Sequence, residues 1–185
     1  MSVLDSQSSS TRKEILRNVA EHTAATRLRY QGMHTEPQSE MWFSWGADAL
    51  MLVAHTKKSP EPATWSAMCE AVEGTLQRVP ELKTKVFTDS GGPSSAQREQ
   101  LARATEGKKY RVSVVSTAPG VRFIVSSMAL FNPTIRSFQP RDWQQSLSHL
   151  GVSASETRRI EHAIRDFAKL PGGERFAVLR AVATS

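Results

Sequence analysis

Leu82-Lys-Thr-Lys-Val-Phe-Thr88, then Asp89-Ser-Gly-Gly-Pro-Ser-Ser95, then Ala96-Gln97-Arg98 and onward to Thr105, is the stretch that decides the fold. The first seven residues are rich in β-branched and aromatic side chains and read as a strand. Gly91, Gly92 and Pro93 break it. Ser94 with Gln97 three residues later has the form of a capping box, so a helix is expected from about Ala96 to Thr105. A strand passing through a short polar loop into a helix is one βα unit, and such units build parallel sheets.

Working outward, the same unit recurs. Tyr110–Ser116 alternates like a strand, and Pro119 opens a helix bearing Val121, Ile124, Val125 and Met128. Asn132-Pro133 is expected to stop that helix before a short strand over Thr134–Phe138. Pro140 and Asp142 start a helix with Trp143, Leu147 and Leu150 inward and Gly151 as its C-terminal cap. On the N-terminal side, Met41–Trp45 and Ala49–His55 read as two strands of a hairpin around Gly46-Ala47-Asp48. Ser59-Pro60-Glu61-Pro62 is a good helix entry. Trp65, Met68, Cys69, Val72 and Leu76 give that helix its apolar face, and Pro80 stops it. The order over 41–151 is β-β-α-β-α-β-α-β-α, an α/β domain with a mixed, mostly parallel sheet flanked by helices. The opening hairpin should add an antiparallel strand at one side.

The flanks are expected to be helical. Residues 1–10 are small and polar, and 12–29 read as an amphipathic helix behind a Thr11/Glu14 capping box, followed by a polar connector from Gly32 to Glu40. Ser153 with Glu156 opens another helix carrying Ile160, Ile164 and Phe167. Pro171-Gly172-Gly173 breaks the chain before a last helix with Phe176, Leu179 and Val182. The expected division is 1–38, N-terminal tail and helix; 39–151, the α/β domain; 152–185, a C-terminal helical hairpin packed on the sheet or on a partner.

The element order, with Val86-Phe-Thr-Asp-Ser-Gly-Gly-Pro93, Phe131-Asn-Pro-Thr-Ile-Arg136 and the Trp143–Gly151 helix, resembles the STAS fold of anti-sigma-factor antagonists and the related SEC14-like lipid-binding domains, and more narrowly bacterial STAS-like proteins. In signalling members of that family a kinase phosphorylates a serine or threonine where a strand meets the following helix. The resemblance implies a partner-binding and phosphorylation edge at Asp89, Ser90, Gly91, Gly92, Ser94 and Ser95. Here Gly-Gly-Pro-Ser-Ser stands where the family has Asp-Ser/Thr-Ser at the helix entry.

Independently of the resemblance, a loop leaving the carboxyl end of a strand into a helix N-terminus is where open α/β sheets meet ligands. Thr117 and Arg122, after the next strand, are candidate anion contacts on the same side. Trp42 and Phe43 place aromatics on both faces of their strand, one face for packing and the other a candidate binding surface; an apolar ligand pocket would draw on the same residues. Cys69 sits among apolar residues at helical spacing and reads as a buried inert thiol.

Composition excludes several functions. The chain has 24 Lys and Arg against 18 Asp and Glu, a net charge of +6. The excess is spread thinly: five against five over 1–40, thirteen against nine over 41–150, six against four over 151–185, with no Lys/Arg run longer than two. Counterion displacement from nucleic acid needs a clustered stripe, so nucleic acid is not an expected partner. No HExxH, zinc-ribbon, Walker, GxGxxG or GxSxG pattern occurs, so no metal, cofactor or catalytic set is expected. A single cysteine, no secretory h-region and no membrane-length apolar run lead to a cytoplasmic expectation. The reading is a non-enzymatic protein-interaction or regulatory module docking a protein partner through the 89–95 edge, with the terminal helices as candidate homo-oligomer surfaces. A small-ligand or lipid carrier of the SEC14-like kind and a structural assembly component are the alternatives.

Overall fold

A computed structural model describes residues 32–46, 49–129 and 133–184. The tail and helix expected over 1–29, residues 47–48 of the hairpin turn, and the Asn132 stop lie outside the described residues. Six strands form one sheet in sequential order: β1 (Gly32–His34), β2 (Met41–Trp45), β3 (Leu50–His55), β4 (Glu81–Thr88), β5 (Lys109–Ser116) and β6 (Ile135–Phe138). The first two pairings are antiparallel and the last three parallel. The expected α/β architecture with a mixed, mostly parallel sheet is the one found. One reading is corrected: the polar connector at 32–40 contains an edge strand, three residues long and pairing Gly32 with Trp45. Three residues are too few for an alternation pattern to register.

Because each parallel strand lies beside the one before it, right-handed crossovers must all return over the same face. They do. Helices α1 (Pro62–Leu76), α2 (Ser95–Ala104) and α3 (Pro119–Ala129) cover the face that carries Met51, Val53, Val112 and Val114. The opposite face carries Trp42, Leu52, Ala54, Phe87 and Val115. It is covered by α4 (Trp143–Leu150), α5 (Ala154–Lys169) and α6 (Ala177–Ala183). The period of two along β2 and β3 sorts alternate residues between two separate cores. Trp42 and Phe43 are therefore both fully buried, Trp42 against the rings of Phe167 and Phe176, Phe43 beside His34 and Trp45.

The C-terminal hairpin is locked to the sheet domain. The Asp89 carboxylate, buried at the end of β4, accepts hydrogen bonds from the backbone N–H groups of Ala177 (2.7 Å) and Val178 (2.6 Å), capping α6 from 88 residues away in sequence. Arg175 pairs with Glu40 at 2.6 Å and donates to the carbonyls of Pro37 and Ser39. Three local signals read in the sequence hold among the described residues. Ser94/Gln97 and Ser153/Glu156 are complete capping boxes, and Gly151 closes α4 in the left-handed conformation (φ 63°).

Candidate functional site

The two cores are not equally filled. Helix α1 buries Trp65, Met68, Cys69, Val72 and Leu76, whereas α2 buries no residue at all. Its sequence, Ser-Ala-Gln-Arg-Glu-Gln-Leu-Ala-Arg-Ala, supplies one large apolar side chain, Leu101. Instead of pressing on the sheet, α2 is drawn sideways onto α1. Trp65 Nε1 donates to the Gln97 carbonyl (3.0 Å), Gln97 Nε2 to the Pro60 carbonyl (3.0 Å) and Gln100 Nε2 to Ser66 Oγ (3.2 Å). Protein interiors do not leave large voids by default, yet here the sheet lies under-covered.

The result is a cavity of about 350 Å³ between the sheet and the three crossover helices, mostly apolar in lining. Its floor includes Val53, Val86, Val112 and Val114, and its walls include Met68, Leu101 and Val125. It opens toward the carboxyl ends of β3 and β4, where Lys57, Ser59, Ser90, Gly92 and Arg98 line the mouth. This is the side on which open α/β sheets take ligands.

Among the described residues the charged side chains of the lining, Lys57 and Arg98, stand at the mouth, and the polar groups deeper in are uncharged. His55 ends β3, is fully buried, and its Nδ1 has no hydrogen-bond partner among the described residues. Burial pushes its pKa down to about 4, so the imidazole is neutral. Burial also raises the Tyr110 hydroxyl to about 12. At the mouth, Arg98 is held by the Pro93 carbonyl (2.8 Å) and Ser95 Oγ (2.9 Å). The loop beneath is tight: Gly91 donates to the Thr56 carbonyl (2.9 Å), and a Cβ on it would run into the Thr56 and Lys58 carbonyl oxygens.

The 89–95 residues divide between two jobs. Asp89 faces away from the cavity and caps α6. Ser90 (φ 128°), Gly91 and Gly92 shape the mouth, while Ser94 and Ser95 are exposed at the start of α2. Thr117 is exposed and Arg122 half-buried. Neither lines the cavity, and among the described residues no hydrogen bond or ion pair joins either to the 89–95 loop. The aromatic cluster of β2 does not line the cavity either: Trp42, Phe43 and Trp45 are packed into the two cores. Cys69 is buried, and burial raises its thiol to about 11, as expected for an inert thiol. Among the described residues no group of three or more His, Cys, Asp or Glu is placed to hold a metal ion, and no helix is long and apolar enough to cross a membrane.

Sequence reasoning missed His55, Lys57, Arg98 and Tyr110. The usable signal was α2 itself: a crossover helix with a single large apolar residue cannot cover the strands beneath it. No protein-family model, curated protein or solved structure matches the chain at a significant level.

Proposed function

We propose that this protein binds a small, largely apolar molecule between its sheet and its crossover helices. The observation that carries the reading is the cavity of about 350 Å³ with its mostly apolar lining and its mouth at the strand carboxyl ends. Ligand sites of small molecules fall in the range of roughly 300–1,000 Å³, with a few polar groups set in apolar walls. The test is uptake of a neutral solvatochromic dye, Nile red, by wild type and by Val114→Phe, which projects a ring from the middle of the floor. Wild type should take up the dye stoichiometrically. The variant should retain its far-UV circular dichroism and lose dye uptake. No uptake by wild type, or equal uptake by both, refutes the reading.

A protein-docking role draws on a different observation. Phe123 (76% exposed) and Ile124 (52% exposed) stand side by side in sequence on α3, with Ile124 also lining the cavity. Exposed large apolar side chains on one helix suit a partner surface. Affinity capture with wild type and with Phe123→Ser, Ile124→Ser tests it: a stoichiometric partner lost in the variant supports docking, and an unchanged set of captured proteins removes it.

A further inference from the structure

We infer that the molecule held in the cavity is an amphiphile with an anionic head, a carboxylate or a phosphate, seated at the mouth between Lys57 and Arg98 with its apolar body inside. The inference rests on the binding reading above and goes on to name the ligand's chemistry.

The charge distribution of the cavity carries it. Among the described residues Lys57 and Arg98 are the only Lys or Arg side chains in the lining, and no Asp or Glu lines it. His55 is neutral by burial, so it contributes no compensating charge at neutral pH. Neighbouring carboxylates are already engaged. Lys58 pairs with Glu40 at 3.3 Å, and the same carboxylate takes Arg175. Glu61 accepts from Ser39 Oγ and from the Glu40 backbone N–H. The loop's own carboxylate, Asp89, is turned to α6. Among the described residues Lys57 and Arg98 have no carboxylate partner, although both stand at the edge of an apolar cavity.

Geometry adds to charge. Two contacts hold the Arg98 guanidinium, which carries five N–H donors, so donors remain for a ligand. The mouth lies at the N-terminus of α2, where the helix dipole favours negative charge. The buried Nδ1 of His55, without a hydrogen-bond partner among the described residues, is a second polar point in the cavity lining. A neutral molecule would use the apolar walls and leave both cations unmatched. A cationic one would be repelled by them.

The experiment displaces Nile red with decanol, decanoate, decyl phosphate and decyltrimethylammonium, which share one chain length and differ in the head. Decanoate or decyl phosphate should displace the dye at least about tenfold more tightly than decanol, with the cation weakest; the better of the two anions identifies the head. In Lys57→Gln, Arg98→Gln the anion's advantage should fall to about twofold or less while decanol binds as before, so decanol reports that the cavity is intact. Arg98→Lys should restore part of the advantage, and added salt should shrink it in wild type. Equal binding of decanol and both anions overturns the anionic head and leaves the cavity reading standing. An anion advantage that survives the double variant overturns the assignment to Lys57 and Arg98. Displacement by none of the four overturns both readings together.

Discussion

The two faces of the sheet are made from the same strands and are finished differently. On one, α5 places Ile160, Ala163, Ile164 and Phe167 at helical spacing, and all four are buried against Trp42, Phe87, Leu179 and their neighbours. On the other, α2 buries nothing and leaves a cavity. Each face also buries polar groups. Lys85, fully buried under α4, donates to Ser113 Oγ (3.1 Å) and Ser146 Oγ, and burial holds its amine well below the usual lysine range. His55 on the cavity face has an Nδ1 with no partner. Among the described residues the packed layer satisfies the Lys85 amine but leaves the Ser44 hydroxyl without a partner, and the open layer leaves the His55 Nδ1 without one. The first face holds the fold together, and the second has room for a ligand.

Matched truncations should separate the faces most sharply. Ile164→Ala removes a side chain that is 2% exposed in a filled core and should cost about 3 kcal/mol or more, because the neighbours cannot close the gap. Leu101→Ala on α2 removes a similar volume from the cavity wall and should cost about 1 kcal/mol or less. Chemical denaturation with a shared slope reads both. Equal costs would mean that the cavity face is as tightly packed as the other.

The pH dependence comes next. His55 has a folded pKa of about 4 against an ordinary value of 6.5. Between those values the unfolded chain binds a proton that the folded chain refuses, so stability falls as pH drops from about 6.5 toward 4. The shift corresponds to a loss of roughly 3 kcal/mol. Glu40, whose carboxyl is held down chiefly by the Thr56 hydroxyl and further by Lys58 and Arg175, adds a loss of the same sign at lower pH. A His55→Leu variant isolates the imidazole. Its stability relative to wild type should improve steadily as pH falls through this window, and parallel curves would show that His55 is not what the cavity face keeps neutral.

Asp89 ties the two faces at one strand end. Asp89→Ala leaves the buried Val178 N–H and its neighbour at Ala177 without their acceptor and should cost about 2 kcal/mol, with Asp89→Asn milder. Ser95→Ala, six residues on and exposed, should change stability by about 0.5 kcal/mol or less. If the two substitutions cost the same, the cap does not hold α6.

Much of this frame was legible in the sequence for identifiable reasons. The Ser94/Gln97 and Ser153/Glu156 capping boxes, prolines at helix entries and the alternation of β5 are local signals, and the structure repeats them closely. The contents of the site were less legible. Asp89 looks like a turn aspartate because its partners, Ala177 and Val178, are distant in sequence; no local pattern announces such a cap. His55 closes a strand of continuous apolar residues, so its neighbours suggested core and nothing more. The cavity was foreshadowed only by a deficiency, the missing apolar stripe of α2, and a reading that searches for motifs passes over what is absent.

The smallest expected effect is the most telling comparison of the faces. Enlarging a side chain in a packed core usually costs about 1–3 kcal/mol, because neighbours must leave their rotamers. Ala163→Leu, placed in the filled layer between α5 and the sheet where Ala163 is 1% exposed, should pay that in full. Val114→Phe adds more volume, yet it enters existing space. Apolar contacts made with the cavity walls offset the lost side-chain freedom, so its stability should lie within about 1 kcal/mol of wild type, on either side. Thermal and urea unfolding of the pair decide the matter. If Val114→Phe costs as much as Ala163→Leu, the space above the floor closes in solution and the crossover helices collapse onto the strands. If it is neutral, the room under α2 and α3 persists without any occupant to hold it open, as a preformed binding site requires.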